Sequence, residues 1–295
     1  MSASSDGELL FDAPNTIKGR LERLAAHTYL IILAALTAGP YVIMVTVSLM
    51  GEGWAPVTPP KIIPEIWSLQ NYIDVWFGQT ALLDQPFWGF FMNTIIYAAG
   101  ATLIVLLVDA LAGYAFARLK FRGRDITFVA VVATLIISPQ ILFIPVYMWF
   151  DQFGLVNTRL GIILPHTFSG FGVFLMRQFI KTLPSDLEDA ALIDGCSRFG
   201  VFWRVVVPMM KSALVTLGVV TFIVTWNSFL WPIVLARDSA LYNLPVALGY
   251  FQGQTQTLWA PLMAAAAITL IPMVILFVSL QEYYVQGFTV SGVKG

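Results

Sequence analysis

Long apolar stretches separated by shorter polar segments run along the whole chain. A helix needs about 20 mostly apolar residues to cross a bilayer core of about 30 Å. Six stretches meet this requirement: residues 27–50, 87–117, 126–150, 160–179, 205–236 and 259–284. Lipid cannot hydrogen-bond open backbone groups, and the alternation typical of a membrane barrel is absent from the sequence, so each stretch is predicted to be helical. The pattern therefore predicts an all-α membrane protein with six transmembrane helices.

The composition agrees with this pattern and excludes several classes of protein. Hydrophobic residues make up 58% of the chain and charged residues only 11%, whereas an average soluble domain has about 25% charged residues. The 16 basic and 17 acidic residues leave no general positive field, so no nucleic-acid partner is expected. The single cysteine, Cys196, excludes an internal disulfide and any metal site built on several cysteines.

Basic residues are distributed unevenly between the two sides that six spans create. With both termini in the cytoplasm, 13 of the 16 basic residues fall on the cytoplasmic side, and only Lys61, Arg159 and Arg237 fall outside. This is the bias that the positive-inside rule describes. The first apolar stretch is too long for a cleaved signal peptide and is expected to be retained. The sequence thus predicts a cytoplasmic tail over residues 1–26 and a membrane domain over residues 27–295, with both termini cytoplasmic.

Two connecting segments are long enough to carry structure of their own. The outer segment, residues 51–86, is rich in proline and acidic residues, and a short amphipathic helix is predicted near residues 69–77. The inner segment, residues 181–207, is rich in charge and in local helix signals. These signals make the inner segment the more informative of the two.

The inner segment reads as two short helices joined by a sharp turn. Ser185 is a good N-cap residue, and Glu188 three residues later completes a capping box. Gly195 is expected to end this helix, because glycine readily adopts the left-handed conformation that follows a helix. A second helix is predicted to start near Ser197, and Pro208 to mark the entry to the fifth span.

Apolar side chains in this elbow are predicted to be exposed. Leu187, Ile193 and Phe199 are the residues concerned, and small residues share the face of the first helix. Exposed apolar patches of this kind mark surfaces that bind a partner. The alternative interpretation is an amphipathic hairpin that lies on the lipid headgroups.

The same loop resembles the EAA motif of ABC importer permeases, in which Glu-Ala-Ala, three residues, Gly, nine residues and Ile-x-Leu-Pro follow one another. Here the motif reads Asp189-Ala190-Ala191, then Gly195, then residues 205–208 ending in Pro208. Both spacings agree, and the substitutions keep the charge and the apolar character. Further segments resemble the carbohydrate-uptake, maltose-permease-like branch of that family: Asn93-Thr94, residues 112–118, Phe121-Arg122-Gly123, Trp226-Asn227, residues 229–232, residues 284–287 and residues 293–295.

The resemblance implies a type I ABC importer permease fold and a permease subunit of an ATP-driven, binding-protein-dependent sugar importer in a prokaryotic inner or plasma membrane. It implies as partners a second homologous permease subunit, two ATPase subunits that bind ATP and Mg²⁺, and an extracytoplasmic sugar-binding protein. The loop 184–208 would be the coupling helix that contacts the ATPase, through Glu188, Asp189, Ala190, Ala191, Asp194, Gly195 and Pro208. The sequence contains no Gly-x-x-x-x-Gly-Lys-Ser/Thr phosphate loop, so this chain is not expected to be an enzyme or to bind a cofactor itself.

Candidate substrate contacts lie in the second and fifth spans. Trp226, Asn227, Ser228 and Trp231 combine aromatic faces with hydrogen-bonding groups, as sugars require, although tryptophans also anchor helices at the membrane boundary. Asp109 lies within the second span, where an acid is costly and suggests function. A structural hydrogen bond to a neighbouring helix is the competing explanation for Asp109.

Two other functional classes remain open on the sequence. A secondary transporter would show inverted repeats and several intramembrane ionisable groups, of which only Asp109 is visible. A membrane scaffold protein could use the elbow only for docking. No metal site is predicted, because His27 and His166 lie far apart in the sequence and neither has a second ligand nearby.

Overall fold

The computed structural model describes residues 17–51, 64, 66–79, 84–252 and 257–289, with the backbone alone for residues 17–18 and 281–289. These residues form helices and contain no β-sheet. The helices are α1 Ile17–Ser48, α2 Gln70–Phe77, α3 Phe87–Arg118, α4 Arg124–Ala133, α5 Phe143–Gln152, α6 Arg159–Ile163, α7 Gly170–Thr182, α8 Asp186–Ile193, α9 Arg198–Val201, α10 Val207–Met209, α11 Lys211–Trp226, α12 Leu230–Leu235, α13 Leu244–Tyr250 and α14 Trp259–Thr289. Short 3-10 turns cover Thr134–Ile136, Pro139–Leu142, Leu164–His166 and Ser239–Leu241, and a π turn covers Phe202–Val206.

Three of the predicted spans are single long helices. Residues 19–48 of α1, the whole of α3 and residues 259–280 of α14 are each long and apolar enough to cross a membrane. They correspond to the first, second and sixth apolar stretches. The apolar pattern predicts these helices correctly because no polar cluster interrupts them. Pro40 lies inside α1 and Pro272 inside α14, and neither proline ends its helix.

The other three apolar stretches are bent helix pairs, so the expectation of continuous stretches was wrong for them. The bends are 96° between residues 124–136 and 139–152, 48° between 159–166 and 170–182, and 81° between 198–209 and 211–226. If each pair counts as one span, the described residues contain up to six spans. In the fifth stretch, the predicted entry residue Pro208 lies in the arm before the 81° bend, and the helix after the bend begins at Lys211.

Local chemistry explains where the chain bends. Ser138 precedes Pro139 and is extended (ψ 128°), as expected because proline disfavours the helical conformation in the residue before it. Ser169 is also extended and starts a new helix, since its hydroxyl accepts a hydrogen bond from the Gly172 amide at 3.2 Å. Apolar content is equally high on both sides of these residues, so hydropathy alone did not locate the bends.

Helix α3 lies at the centre of the fold, between α7 and α11. Close approach to α7 depends on glycine, because a Cβ atom on Gly113 would lie 2.5 Å from the Met176 Cβ. Around this contact lies an apolar core of buried side chains: Val105, Ala110, Tyr114, Met176, Ile180, Val201, Phe202, Val206, Met210, Ala213 and Leu217. The core therefore joins residues 201–210, the arm that follows the elbow, to α3 and α7.

The start of α3 is bonded to the segment after α12. Asn93 Nδ2 donates to the carbonyl oxygens of Ala240 at 2.7 Å and Tyr242 at 2.9 Å, and Thr94 Oγ1 accepts from the Leu244 amide at 2.9 Å. These bonds give the Asn93-Thr94 pair a structural role. The short helix predicted near residues 69–77 is confirmed as α2, while residues 52–63 and 80–83 of the outer segment lie outside the described residues.

Candidate functional site

The elbow of the inner loop ends its first helix at Gly195, as predicted. Gly195 has a φ of +87°, and its amide donates to the Leu192 carbonyl at 3.1 Å, while the Cys196 amide donates to the Ala191 carbonyl at 2.9 Å. This pair of bonds is the Schellman arrangement that closes a helix with a left-handed glycine. The predicted second helix is also confirmed, since Ser197 Oγ caps α9 by accepting from the Gly200 amide.

The predicted capping box at the start of α8 is wrong. Ser185 has helical dihedral angles and its side chain makes no capping bond. The Glu188 carboxylate instead accepts a hydrogen bond from Arg118 Nε at 2.6 Å, and the Arg118 Nη2 donates to the Leu183 carbonyl at 2.7 Å. A buried charge is costly unless it is paired, so the glutamate bonds to the arginine at the end of α3 and not to the backbone. Arg118 was not predicted as a site residue, because it lies 70 residues away in the sequence.

The opposite face of α8 is open to solvent. Leu187 is 51% exposed, Ile193 86% and, in the adjoining α9, Phe199 63%, which confirms the predicted exposure of these apolar side chains. We call the exposed set the coupling face, and it consists of Leu187, Asp189, Ala190, Ile193, Asp194 and Phe199. It combines apolar side chains with two carboxylates.

The residues predicted to contact an ATPase divide between the two sides of the elbow. Asp189, Ala190, Asp194 and Gly195 are exposed, whereas Ala191 is half-buried and Glu188 is buried. Pro208 is exposed but lies in the arm that follows the elbow. The structure therefore brings four of these residues to one accessible surface, and places Glu188 in the attachment of α8 to α3.

Three helix breaks lie beside one another at a second candidate site. His166 Nε2, at the fourth-span break, lies 3.1 Å from Ser228 Oγ, at the break after α11. Beside the third-span break, Thr134 packs against Gly170, whose missing side chain leaves room for the Thr134 hydroxyl. Non-helical backbone at membrane depth is tolerated only where protein or a water-filled cavity surrounds it. The breaks together present hydroxyl, imidazole and amide groups within an otherwise apolar region.

The predicted substrate contacts differ in their access to this site. Trp226 is buried, with its ring stacked on Phe222 at a centroid distance of 5.5 Å. Asn227 is exposed at the end of α11, and Ser228 bonds to His166. Trp231 is half-buried, with its ring edge-to-face with Phe143 at 4.4 Å. His166 was not predicted as a candidate here, although Pro165 and Ser169 beside it gave a signal that the helix is interrupted.

Asp109 lies within α3, and its carboxylate packs against the start of α7. It is fully buried, and its Oδ1 accepts a 3.5 Å hydrogen bond from the Ser169 amide. Its Oδ2 has no hydrogen-bond partner among the described residues and lies so close to Gly172 that any side chain there would collide with it. The N-terminus of a helix favours a negative charge, so the geometry agrees with the structural explanation for Asp109.

Groups that could hold a metal ion are not found in the described part of the chain, where no three His, Cys, Asp or Glu side chains come together.

Comparisons with known proteins agree with this architecture. The family described as "Binding-protein-dependent transport system inner membrane component" matches residues 110–290. The chain is 34% identical over 232 residues to the arabinooligosaccharides transport system permease protein AraQ of Halalkalibacterium halodurans, covering 79% of this chain and 81% of that protein. It is 30% identical over 270 residues to the sn-glycerol-3-phosphate transport system permease protein UgpE of Salmonella typhi, covering 90% and 95%.

A solved structure shows the same fold. It is a chain of a bacterial ABC transporter involved in the import of the acidic polysaccharide alginate, with a TM-score of 0.77 at 23% sequence identity, covering 91% of this chain and 98% of that one. The fold predicted from the EAA-like loop is thus found over nearly the whole chain. This protein belongs to the family of binding-protein-dependent transport system inner membrane components, the permease subunits of ABC importers.

Proposed function

We propose that this chain forms half of the translocation path of an ATP-driven, binding-protein-dependent sugar importer, and that its coupling face binds a cytoplasmic ATPase subunit. The observation that carries the proposal is the elbow itself. One side of α8 is fixed to the end of α3 through Glu188 and Arg118, while the other side exposes Leu187, Asp189 and Ile193. A surface that is both rigidly attached and apolar is suited to transmit force from a bound partner.

The proposed complex contains the partners that the family implies. A second homologous permease subunit completes the path, two ATPase subunits bind ATP and Mg²⁺, and an extracytoplasmic protein delivers the sugar. Closure of the ATPase subunits would draw the coupling faces together. The buried contacts of Val201, Phe202 and Val206 with α3 and α7 would then carry this movement into the spans.

The three helix breaks at residues 137–138, 167–169 and 227–229, which we call the break level, are the proposed place of substrate passage. Asn227, Ser228 and His166 offer hydrogen bonds and Trp231 offers an aromatic face, which together suit a polyhydroxylated ring. Trp226 is buried and stacks on Phe222, so it would stabilise the position of these groups without contacting the substrate. Residues 137–138, 167–169 and 227–229 include no Lys or Arg, which favours a neutral sugar over a phosphate ester, since a phosphate is usually bound by Arg or Lys.

The proposed orientation places the elbow and both termini in the cytoplasm. It rests on the 13 basic residues that this orientation assigns to the cytoplasmic side. In this arrangement residues 27–295 form the membrane domain, and residues 51–86 face the binding protein.

Charge reversal on the coupling face tests the proposal. The chain is purified with its partner subunits and binding protein, reconstituted in vesicles, and assayed for ATP-dependent sugar uptake. Asp189→Lys is expected to abolish uptake and to reduce retention of the ATPase subunits, because it puts a positive charge on a face that carries carboxylates. The matched control is Asp189→Glu, which keeps a carboxylate at the same position of the coupling face and should leave uptake near the wild-type level. Normal uptake in Asp189→Lys would refute the assignment of the coupling face.

A further inference from the structure

The connection between α3 and α4 is short, which limits how far it can rise above the ends of the two helices. Helix α3 ends at Arg118 and α4 begins at Arg124, so five residues, 119–123, join them. Five extended residues span at most about 17 Å, and the connection must return to the second helix, so its tip rises by about 8 Å at most. The headgroup layer is about 5–8 Å thick on each side of the bilayer. With the ends of α3 and α4 at the membrane boundary, as the six-span arrangement predicts, the connection would lie among lipid headgroups.

Aromatic contacts hold this connection against the ends of the helices. The Phe121 ring packs against Phe116 at a centroid distance of 5.9 Å, and Phe116 packs against Phe128 at 5.5 Å. The Arg177 guanidinium lies 3.8 Å above the Phe128 ring. Phe121 nevertheless remains 44% exposed and Ile126 79% exposed. Exposed apolar side chains at this depth can enter the acyl region of the bilayer.

Positive charge is concentrated in the same place. Lys120 and Arg122 are exposed, and within the described part of the chain neither forms an ion pair. Arg124 pairs with Asp125 at 3.0 Å, and the charges of Arg177 and Lys181 also act on this carboxylate. Asp125 is thus already balanced by these basic groups, while Lys120 and Arg122, among the described residues, are available to an external anion.

The surface between these side chains is concave. Residues 120–126 line a concavity of about 680 Å³, which is large enough for a phosphodiester headgroup. Its walls include both free cations as well as Phe121 and Ile126. Cationic and apolar groups in one concavity match a molecule that has an anionic head and an apolar tail.

We propose that residues 120–126 bind the phosphate of an anionic phospholipid headgroup, with Lys120 and Arg122 as its direct contacts. Phe121 and Ile126 lie against the first carbons of the acyl chains. An acidic surface of a partner protein is the less favoured occupant, because the concavity also carries the exposed apolar side chains of Phe121 and Ile126. This lipid site goes beyond the proposed transport function and does not depend on it.

A titration with two lipids tests the site. The full chain, purified with its partner subunits in detergent, is titrated with phosphatidylglycerol or phosphatidylcholine of the same acyl chains, and bound lipid is counted by native mass spectrometry. The wild type is expected to prefer phosphatidylglycerol. Each basic residue near an anionic surface contributes about a fivefold gain in affinity, so K120Q/R122Q is expected to bind phosphatidylglycerol about 25-fold more weakly. Its affinity for phosphatidylcholine should not change.

A matched variant separates this site from general surface charge. R204Q/K211Q removes two other exposed basic residues, in the arm that follows the elbow and at the start of α11, and is expected to change phosphatidylglycerol affinity by less than twofold. If K120Q/R122Q loses subunits on purification, R122Q alone replaces it, with an expected loss of about fivefold.

Three results would overturn the proposal. The first is an equal loss of affinity in R204Q/K211Q, which would indicate a diffuse charge effect. The second is displacement of phosphatidylglycerol by equimolar inorganic phosphate, which would make free phosphate the ligand. The third is unchanged phosphatidylglycerol affinity in K120Q/R122Q, or in R122Q where it replaces the double variant, which would show that these side chains do not contact the lipid.

Discussion

Replacement of Glu188 by Gln tests whether the buried ion pair fixes the elbow to α3. The change removes the negative charge but keeps an amide oxygen that can still accept from Arg118. Hydrogen bonds to charged groups contribute about 1.5–3 kcal/mol, and loss of one partner in a buried pair costs about 3–5 kcal/mol. The Arg118 side chain is 17% exposed and keeps its bond to the Leu183 carbonyl, so the lower range applies. We expect the attachment of α8 to weaken by about 2 kcal/mol.

Hydrogen exchange measures this weakening directly. At about 1.4 kcal/mol per factor of ten, a loss of 2 kcal/mol raises the population of the detached elbow about 30-fold. Amides of α8 in the Glu188→Gln complex should therefore exchange about 30-fold faster, while those of α13, at the other end of α3, should not change. In vesicles, sugar uptake per ATP hydrolysed should fall, because a loosely attached elbow transmits less of the ATPase movement.

Two variants serve as controls for the ion pair. Asp186→Asn removes a charge from the exposed first turn of the same helix, outside the coupling face, and should change exchange far less than Glu188→Gln does. The double replacement R118M/E188M puts two apolar side chains of similar length in place of the pair, and should exchange nearly as slowly as the wild type, since swapping a buried pair for apolar groups is often neutral. Exchange of α8 in Glu188→Gln within twofold of the wild type would refute the reasoning.

Three further replacements probe the fold and the break level. Gly113→Ala puts a Cβ atom 2.5 Å from the Met176 Cβ and should lower the free energy of unfolding by about 1–3 kcal/mol, measured by thermal unfolding in detergent; Gly39→Ala, which meets open space, should not. Asn93→Ala removes a buried amide that donates to two carbonyl groups at 2.7 and 2.9 Å and should cost about 1–3 kcal/mol in the same measurement. Ser228→Ala removes the hydroxyl bonded to the histidine of the fourth-span break and should raise the KM for sugar uptake about threefold to tenfold; an unchanged KM would place the substrate elsewhere.

Features of the protein that depend on neighbouring residues could be predicted from the sequence. Continuous apolar runs predicted α1, α3 and α14, because a bilayer imposes a minimum length on a helix that crosses it. The turn at Gly195 was predictable because few residues other than glycine adopt a φ of +87° readily. Exposure of Ile193 followed from its helical position opposite the buried side of α8.

Features that depend on distant residues could not be predicted in this way. Glu188 has the spacing of a capping box, yet its carboxylate bonds to Arg118, which only the packing of the loop against α3 brings near. The contact of His166 with Ser228 likewise needs two helix breaks to meet, 62 residues apart in the sequence. Hydropathy did not reveal the breaks, because the chain is apolar on both sides of each.

Helix α7 connects the helix breaks at one end with the attachment of the elbow at the other, two features that the sequence shows only separately. It begins at Gly170, beside the break level and against Asp109, and ends at Thr182, one residue before the carbonyl that Arg118 holds. Its 13 residues make a rigid element of about 20 Å. A displacement of the elbow therefore has a direct mechanical route to the polar groups at the breaks. Coupling between the ends of such an element must be measured and not inferred from distance alone, and the double variant of Glu188→Gln with Ser228→Ala supplies that measurement: if α7 carries the coupling, the two effects on uptake will not add.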